Sequence, residues 1–325
     1  MRTLILGMGG HLGTAVAKRL DPDPRVEMLG LDIEPPRRLL HRAEFHLVVD
    51  PTSARAAREM VQRIVEFAPT EVVHFGVYEP HARANPHAAH ARSLAFTKAV
   101  CDAVAQLDTI RHVVVRSGIE VYGRRRGAAL SPDEHVAPAP TTGYGRTLLV
   151  VEESMEALGR AHRIPVTRLR FAPVAGPHIP SPLTRYLRLP FFVPVGALPD
   201  PPFSLLHIDD AADATVAALA RRADVAVNVV GAGAVTAAQA VRIGGRIPVP
   251  TIGPGWLLAR LAAGALGSPL PEHVIELFTR GRTADGAHAR DVLGFVPAHT
   301  TLEIVRDMYH WPSVTFHDIA IADAA

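Results

Sequence analysis

Cysteine is almost missing from this 325-residue chain: Cys101 stands alone, so neither an intrachain disulfide nor a cysteine-built metal site can form. A reducing, cytoplasmic setting fits that scarcity. Lysine is nearly absent too, with Lys18 and Lys98 against a background of arginine, a bias that fits genomic base composition better than function. Charge of one sign is lacking: the formal net charge is +2, so no strong field toward nucleic acid or a membrane is implied. No run of about 20 uninterrupted apolar residues occurs, which speaks against a spanning helix. The first residues read as a strand rather than as a secretion signal. Internal repeats and low-complexity tracts are absent as well. What remains is a composition of 48% hydrophobic and 20% charged residues, that of a globular protein. The length suits one large or two smaller domains.

The most informative segment lies at the start. Thr3–Leu6 is a short apolar strand, and Gly7-Met8-Gly9-Gly10-His11-Leu12-Gly13 follows at once, before a helical pattern to Leu20. Gly7, Gly10 and Gly13 are spaced G-x-x-G-x-x-G. A glycine accepts the tight turn, and its missing Cβ lets a pyrophosphate approach the backbone. The helix start at His11, Leu12 and Gly13 offers free N–H groups and the positive end of the dipole to that anion. Asp32 closes the next apolar stretch, about 20 residues on, where a carboxylate accepts from a ribose diol. This context predicts a dinucleotide site. Asp32 favours NAD, since it would repel a 2′-phosphate; Arg37 and Arg38 nearby can tolerate one but read as a solvated helix start.

Through the first half, strands and helices alternate. Strands are predicted at 3–6, 26–31, 44–49, 71–75, 112–116 and 166–170, and helices at 12–20, 53–67, 86–107 and 148–162. Short apolar strands between helices point to a parallel sheet covered on both faces. Ligands then bind along the strand C-termini. After residue 172 prolines cluster, from Pro173 to Pro202, and predict irregular segments. A helix at 211–221 and a strand at 226–230 return to the sheet. The expected class is α/β, a Rossmann-type doubly wound parallel sheet with a smaller C-terminal substrate-binding cap. Residues 1–172 form the NAD-binding domain, with return elements near 203–232; residues 173–202 and 233–325 form the cap. Trp256–Leu266, interrupted by Arg260, reads as a buried or interfacial amphipathic helix, and a membrane surface is a further reading of it.

Several blocks, in order, resemble the extended short-chain dehydrogenase/reductase superfamily, the NAD-dependent epimerase/dehydratase group. They are Val72-Val73-His74-Phe75-Gly76, then Val113 to Gly123 (reading VVVRSGIEVYG), then Gly143-Tyr144-Gly145-Arg146. Leu169 to Pro177, His207-Ile208-Asp209-Asp210-Ala211 and Leu293-Gly294-Phe295-Val296-Pro297 follow. In that family a Tyr-x-x-x-Lys pair acts on a substrate hydroxyl while hydride moves to or from NAD. The resemblance implies a nucleotide-sugar substrate, as for UDP-glucose 4-epimerase, and a homodimer joined through the helices at 86–107 and 148–162.

The chain departs from the pattern in four places. Tyr144 holds the tyrosine position, but Leu148 stands where the lysine belongs. Gly118 stands where the family has a Ser or Thr, with Ser117 beside it on the opposite strand face. Glu120 matches an acid of the dehydratase members, without its usual aspartate neighbour. Pro173 replaces an asparagine that contacts sugar nucleotides. Tyr144 and Glu120 are therefore the catalytic candidates. The cofactor candidates are Gly7, Gly10, His11, Leu12, Gly13, Asp32, Asp50, Phe75, Gly76, Val77, Ser117 and Tyr144. Phe75–Val77 end a strand where the backbone should pass the cofactor, and Asp50 either approaches the adenine or closes a turn. His87 and His90 lack further ligands, so no metal is expected. His207, Asp209 and Asp210 read as a domain junction with an aspartate capping a helix. Arg280, Arg282 and Arg290 look exposed: either solvated, or holders of a diphosphate. Two functions follow: an NAD-dependent enzyme acting on a nucleotide sugar, or an NAD(H)-binding sensor or scaffold protein without turnover.

Overall fold

The computed structural model describes residues 1–80, 85–197, 200–266, 268 and 270–310. Pro199 and the expected cap residues beyond 310 lie outside them. The N-terminal half alternates as the pattern predicts. It runs β1 (Arg2–Leu6), α1 (His11–Leu20), β2 (Glu27–Asp32), β3 (Ala43–Leu47), α2 (Ala54–Phe67), β4 (Glu71–His74), α3 (Pro86–Val104), β5 (His112–Gly118), α4 (Gly143–His162) and β6 (Val166–Phe171). Short elements follow: β7 (Val174–Ala175), α5 (Pro182–Leu187), β8 (Phe192–Gly196), β9 (Pro202–Phe203) and β10 (Leu206–His207). Then come α6 (Ile208–Arg221), β11 (Val225–Val229), β12 (Val235–Thr236), α7 (Ala237–Ile243), β13 (Ile247–Thr251), α8 (Gly255–Ala265), α9 (Glu272–Arg280), α10 (Ala287–Leu293) and α11 (Thr301–His310).

Seven strands form one sheet in the order β11-β6-β5-β4-β1-β2-β3. All its neighbours are parallel. The strands are apolar on both faces because helices cover both: α1 packs with α6, and α2 with α3 and α3 with α4. The order reverses between β1 and β4, so their C-terminal ends open a crevice at the switch point. Gly7 and Phe75 lie at those two ends, tied to the sheet by bonds from Gly7 N–H to Leu31 O and from Phe75 N–H to Leu6 O.

Local chemistry sets the helix starts. Ser53 caps α2 by accepting from Ala56 N–H, and Asn85 caps α3 ahead of Pro86. Helix α4 begins five residues before the expected 148, because Thr142 accepts from Gly145 N–H and the two glycines join the first turn. The α6 cap differs from expectation: the His207 side chain accepts from Asp209 N–H. Asp210 instead accepts from the N–H groups of Ala298 and His299, and Asp209 pairs with Arg19.

A second apolar cluster gathers Leu183, Tyr186, Val195, Phe203, Val274 and Phe278 with neighbours from α7 and α11. The proline-rich stretch is more regular than expected, since α5 and β8 form within it; Pro182 sits in the first turn of α5, where its missing N–H costs nothing. Strand β8 pairs in parallel with β13. Ala289, Leu293 and Phe295 pack into the first core.

Candidate active site

The glycine turn makes a cradle of backbone. Gly7 has φ +79°, and a Cβ there would sit 2.7 Å from Phe75 C and O. A Cβ on Gly13 would meet Gly7 O at 2.1 Å. Both positions therefore exclude side chains. No side chain caps α1, so its first-turn amides are left for a ligand. These features fit a dinucleotide pyrophosphate.

Asp32 is built in more deeply than the sequence suggests. Its carboxylate is buried and accepts from Gly10 N–H (3.1 Å), Ile33 N–H (2.7 Å) and the Tyr78 hydroxyl (2.8 Å). Burial raises its pKa while these bonds pull the other way. The acid thus pins the glycine turn to β2. Glu34 and Arg37, which pair at 3.2 Å, line the cleft instead. His11, also in the cleft wall, has its pKa lowered to about 4 by burial, Arg37 and His178, so a neutral imidazole sits at the helix start. Asp50 lies away from the cleft; its carboxylate accepts from the N–H and hydroxyl of Thr52 and closes a turn.

The cleft has a volume of about 670 Å³. It runs from Gly7, Gly10, His11, Leu12 and Gly13 past Phe75 and Ser117 to Glu120 and Tyr144, and on to α5 and α9. Gly76 and Val77 stand behind this wall. A Cβ on Gly76 would touch the Phe96 ring at 3.0 Å, and Val77 O accepts from Arg116 (3.1 Å). The Ser117 hydroxyl is buried without a hydrogen-bond partner.

At the far end Tyr144 and Glu120 meet charged side chains from other elements. Leu148 is fully buried and brings no charge. The Tyr144 oxygen instead accepts from the Arg116 guanidinium at 3.2 Å, a group carried by β5 rather than by the tyrosine's own helix. Burial pushes the Tyr144 pKa up, while Arg116 and Arg282 pull it down and Glu79 and Glu120 push it up further. The His273 ring packs against Tyr144 at 4.9 Å, and its Nε2 shares a hydrogen bond of 2.8 Å with Glu79. Gly118 is explained by Glu120: a Cβ at 118 would lie 2.3 Å from Glu120 Oε2. The carboxylate occupies the room that a side chain at 118 would take. It is held there by Arg282 (3.0 Å), which also bonds Glu276 (2.7 Å).

Arg282 is thus fully buried and spent on two carboxylates, contrary to its exposed appearance in the sequence. Arg280 donates to Arg124 O, and Arg290 is exposed. No group of three or more metal-ligating side chains occurs among the described residues. His90 bonds the Thr147 hydroxyl.

Residues 3–231 match the NAD dependent epimerase/dehydratase family. The chain belongs to that family. Over 212 residues it is 34% identical to an uncharacterized protein of Mycobacterium tuberculosis, covering 64% of this chain and 56% of that one. The match therefore spans little more than half the length of its curated relatives. Its fold is similar to that of a UDP-galactose 4-epimerase, at 20% identity, 99% coverage of each chain and a TM-score of 0.71. It is also similar to UDP-glucuronic acid 4-epimerase from Bacillus cereus in complex with UDP-glucuronic acid and NAD. There the identity is 17%, the coverage 96% of this chain and 98% of that one, and the TM-score 0.73.

In this member of the epimerase/dehydratase family, Arg116, Glu79 and His273 gather around Tyr144, and the sequence pattern did not single them out. Arg116 carries a signal: it is the one charged residue near the end of an apolar central strand. Glu79 and His273 are 194 residues apart, and nothing local announces their meeting.

Proposed function

We propose that this protein is an NAD-dependent enzyme that acts on a nucleotide sugar through transient oxidation of a ring hydroxyl. The observation that carries the reading is one continuous cleft from the glycine cradle to the Tyr144 hydroxyl and the Glu120 carboxylate. When bound, NAD supplies the hydride acceptor and returns the hydride. Gly7, Gly10 and Gly13 with the α1 amides would hold its pyrophosphate, and Phe75, Ser117 and Tyr144 line the path beyond. Burial keeps the Tyr144 proton in place at neutral pH. Arg116 occupies the tyrosine oxygen from one side, leaving the O–H for a substrate oxygen. Glu120, fixed by Arg282, presents its second oxygen to the cleft as the proton acceptor. A hydroxyl that donates and a carboxylate that accepts divide the acid and base work.

The division into a 1–172 NAD domain with return elements and a cap belongs to the same reading, as does a cytoplasmic setting. No helix among the described residues is long and apolar enough to cross a membrane. A homodimer through α3 and α4 is part of it, with Val150 exposed on α4.

Leu148 favours a second reading, a sensor or scaffold that holds NAD(H) without turnover. One experiment separates the two: calorimetry with NAD, followed by a panel of UDP- and dTDP-sugars including UDP-glucose and UDP-galactose. Turnover lost in Tyr144→Phe supports the enzyme. NAD binding with no turnover on the panel supports the sensor, and no affinity for NAD or NADH sinks both.

A further inference from the structure

Helix α8 is built the opposite way from a helix that covers a core. It rests on the protein through Ala259 and Ala263, with Trp256 half-buried beside them. Its leucines face outward: Leu257, Leu258, Leu261 and Leu266 are 61%, 69%, 63% and 62% exposed. Positions 257, 258, 261, 262 and 265 share one helix face, and every residue on that face is Leu or Ala. The turn before the helix extends the surface with Ile252, 73% exposed. An amphipathic surface helix turns its large apolar residues inward, and contiguous exposed apolar surface marks a contact site.

Charge identifies the partner. Between Asp224 and Glu272 the chain has no acidic side chain, and its charged residues there are Arg242, Arg246 and Arg260. Strand β8, which pairs with β13 ahead of the helix, carries no charged side chain. Arg260 is exposed and lies on α8 itself. The same helix on a second copy offers no acid for Arg260. An anionic bilayer takes both features: its acyl boundary accepts the leucines and its headgroups Arg260. At 11 residues α8 is about 16 Å long, so it lies in the interface and does not span it.

We propose that α8 and the turn before it form a peripheral docking surface for an anionic lipid membrane. The test is co-sedimentation of the full chain with phosphatidylcholine vesicles, with and without about one quarter phosphatidylglycerol. The expected result is pelleting with the anionic vesicles, and at least tenfold weaker partitioning both onto phosphatidylcholine alone and for the double variant Leu258→Glu/Leu261→Glu. Arg260→Ala should weaken it about fivefold, the loss of one cation at an anionic surface. Thermal unfolding and NAD binding of the variants should match the parent. Should the double variant fail to fold, Arg260→Ala carries the test. Failure to pellet, equal pelleting on both vesicles, or unchanged pelleting of a folded variant overturns the proposal. So does a dimer in solution that the leucine substitutions dissociate without any vesicle binding, which gives the face to a second copy.

Discussion

The glycine end of the cleft, proposed to hold the cofactor, is made by consecutive residues, Gly7 to Gly13, and mostly by their backbone; the Tyr144 end, proposed to carry the reaction, is made by side chains from segments as distant as Glu79 and Arg282. Backbone sites depend on which positions lack a Cβ, so each position has one solution and its spacing survives in the sequence. Side-chain sites need a charge or an oxygen at a point in space, and several positions can deliver it. In the proposed reading Arg116 sets a cation beside the Tyr144 oxygen from β5, and Glu120 sets an acceptor oxygen in the room that a side chain at 118 would take.

The largest expected effect lies at the backbone end. Gly13→Ala puts a Cβ 2.1 Å from Gly7 O. It should abolish measurable NAD affinity in calorimetry and lower stability by about 1–3 kcal/mol. Retained affinity would remove the distinction between the two ends. Next, Tyr144→Phe should cut turnover by about 10²–10⁴-fold with NAD affinity unchanged within about twofold. A large loss of NAD affinity would make the tyrosine part of the cofactor end instead.

Arg116→Ala should cost less, about tenfold in kcat. KM should stay nearly unchanged, because the guanidinium bonds the Tyr144 oxygen and not the substrate. Arg116→Lys should recover part of the rate, and a structural role alone would move KM and kcat together. The smallest effect is expected from acid on the cofactor end. With its pKa near 4, His11 stays neutral from pH 8 to about 5, so NAD affinity measured by calorimetry should be flat there. Stability should not be flat. His11, His74 and His112 all have pKa values lowered to about 4, with burial the largest cause, against about 6.5 in an unfolded chain. Their neutral forms are favoured by folding, so stability is full above pH 6.5 and declines as pH falls toward 4. The melting temperature should therefore drop between pH 7 and 5 while NAD affinity holds.

The same contrast explains what could be read from the residues. The sheet, its crossovers and the glycine cradle follow from local periodicity and glycine spacing, and the expected strands match within a few residues. Asp32 was visible, but not that Tyr78 and the Gly10 amide would saturate it, since that depends on the depth of the β2 end. Arg282 looked solvated because its carboxylates stand at 120 and 276, one of them far off in sequence. The pair of Glu79 and His273 joins the sheet side of the cleft to α9, and such contacts leave no periodic trace. Helix α8 was visible as an apolar segment; which of its faces would point outward was not.

The fit between Gly118 and Glu120 makes the two positions a lock with two settings. A serine restored at 118 would collide with a carboxylate that Arg282 holds in place, so the substitution closest to the family pattern should damage this protein more than an unrelated one nearby. Paired with Glu120→Ala, the serine becomes admissible. The collision disappears in the double exchange while the loss of the Glu120–Arg282 pair remains, so the two substitutions are non-additive in stability and the activity lost with Glu120 does not return.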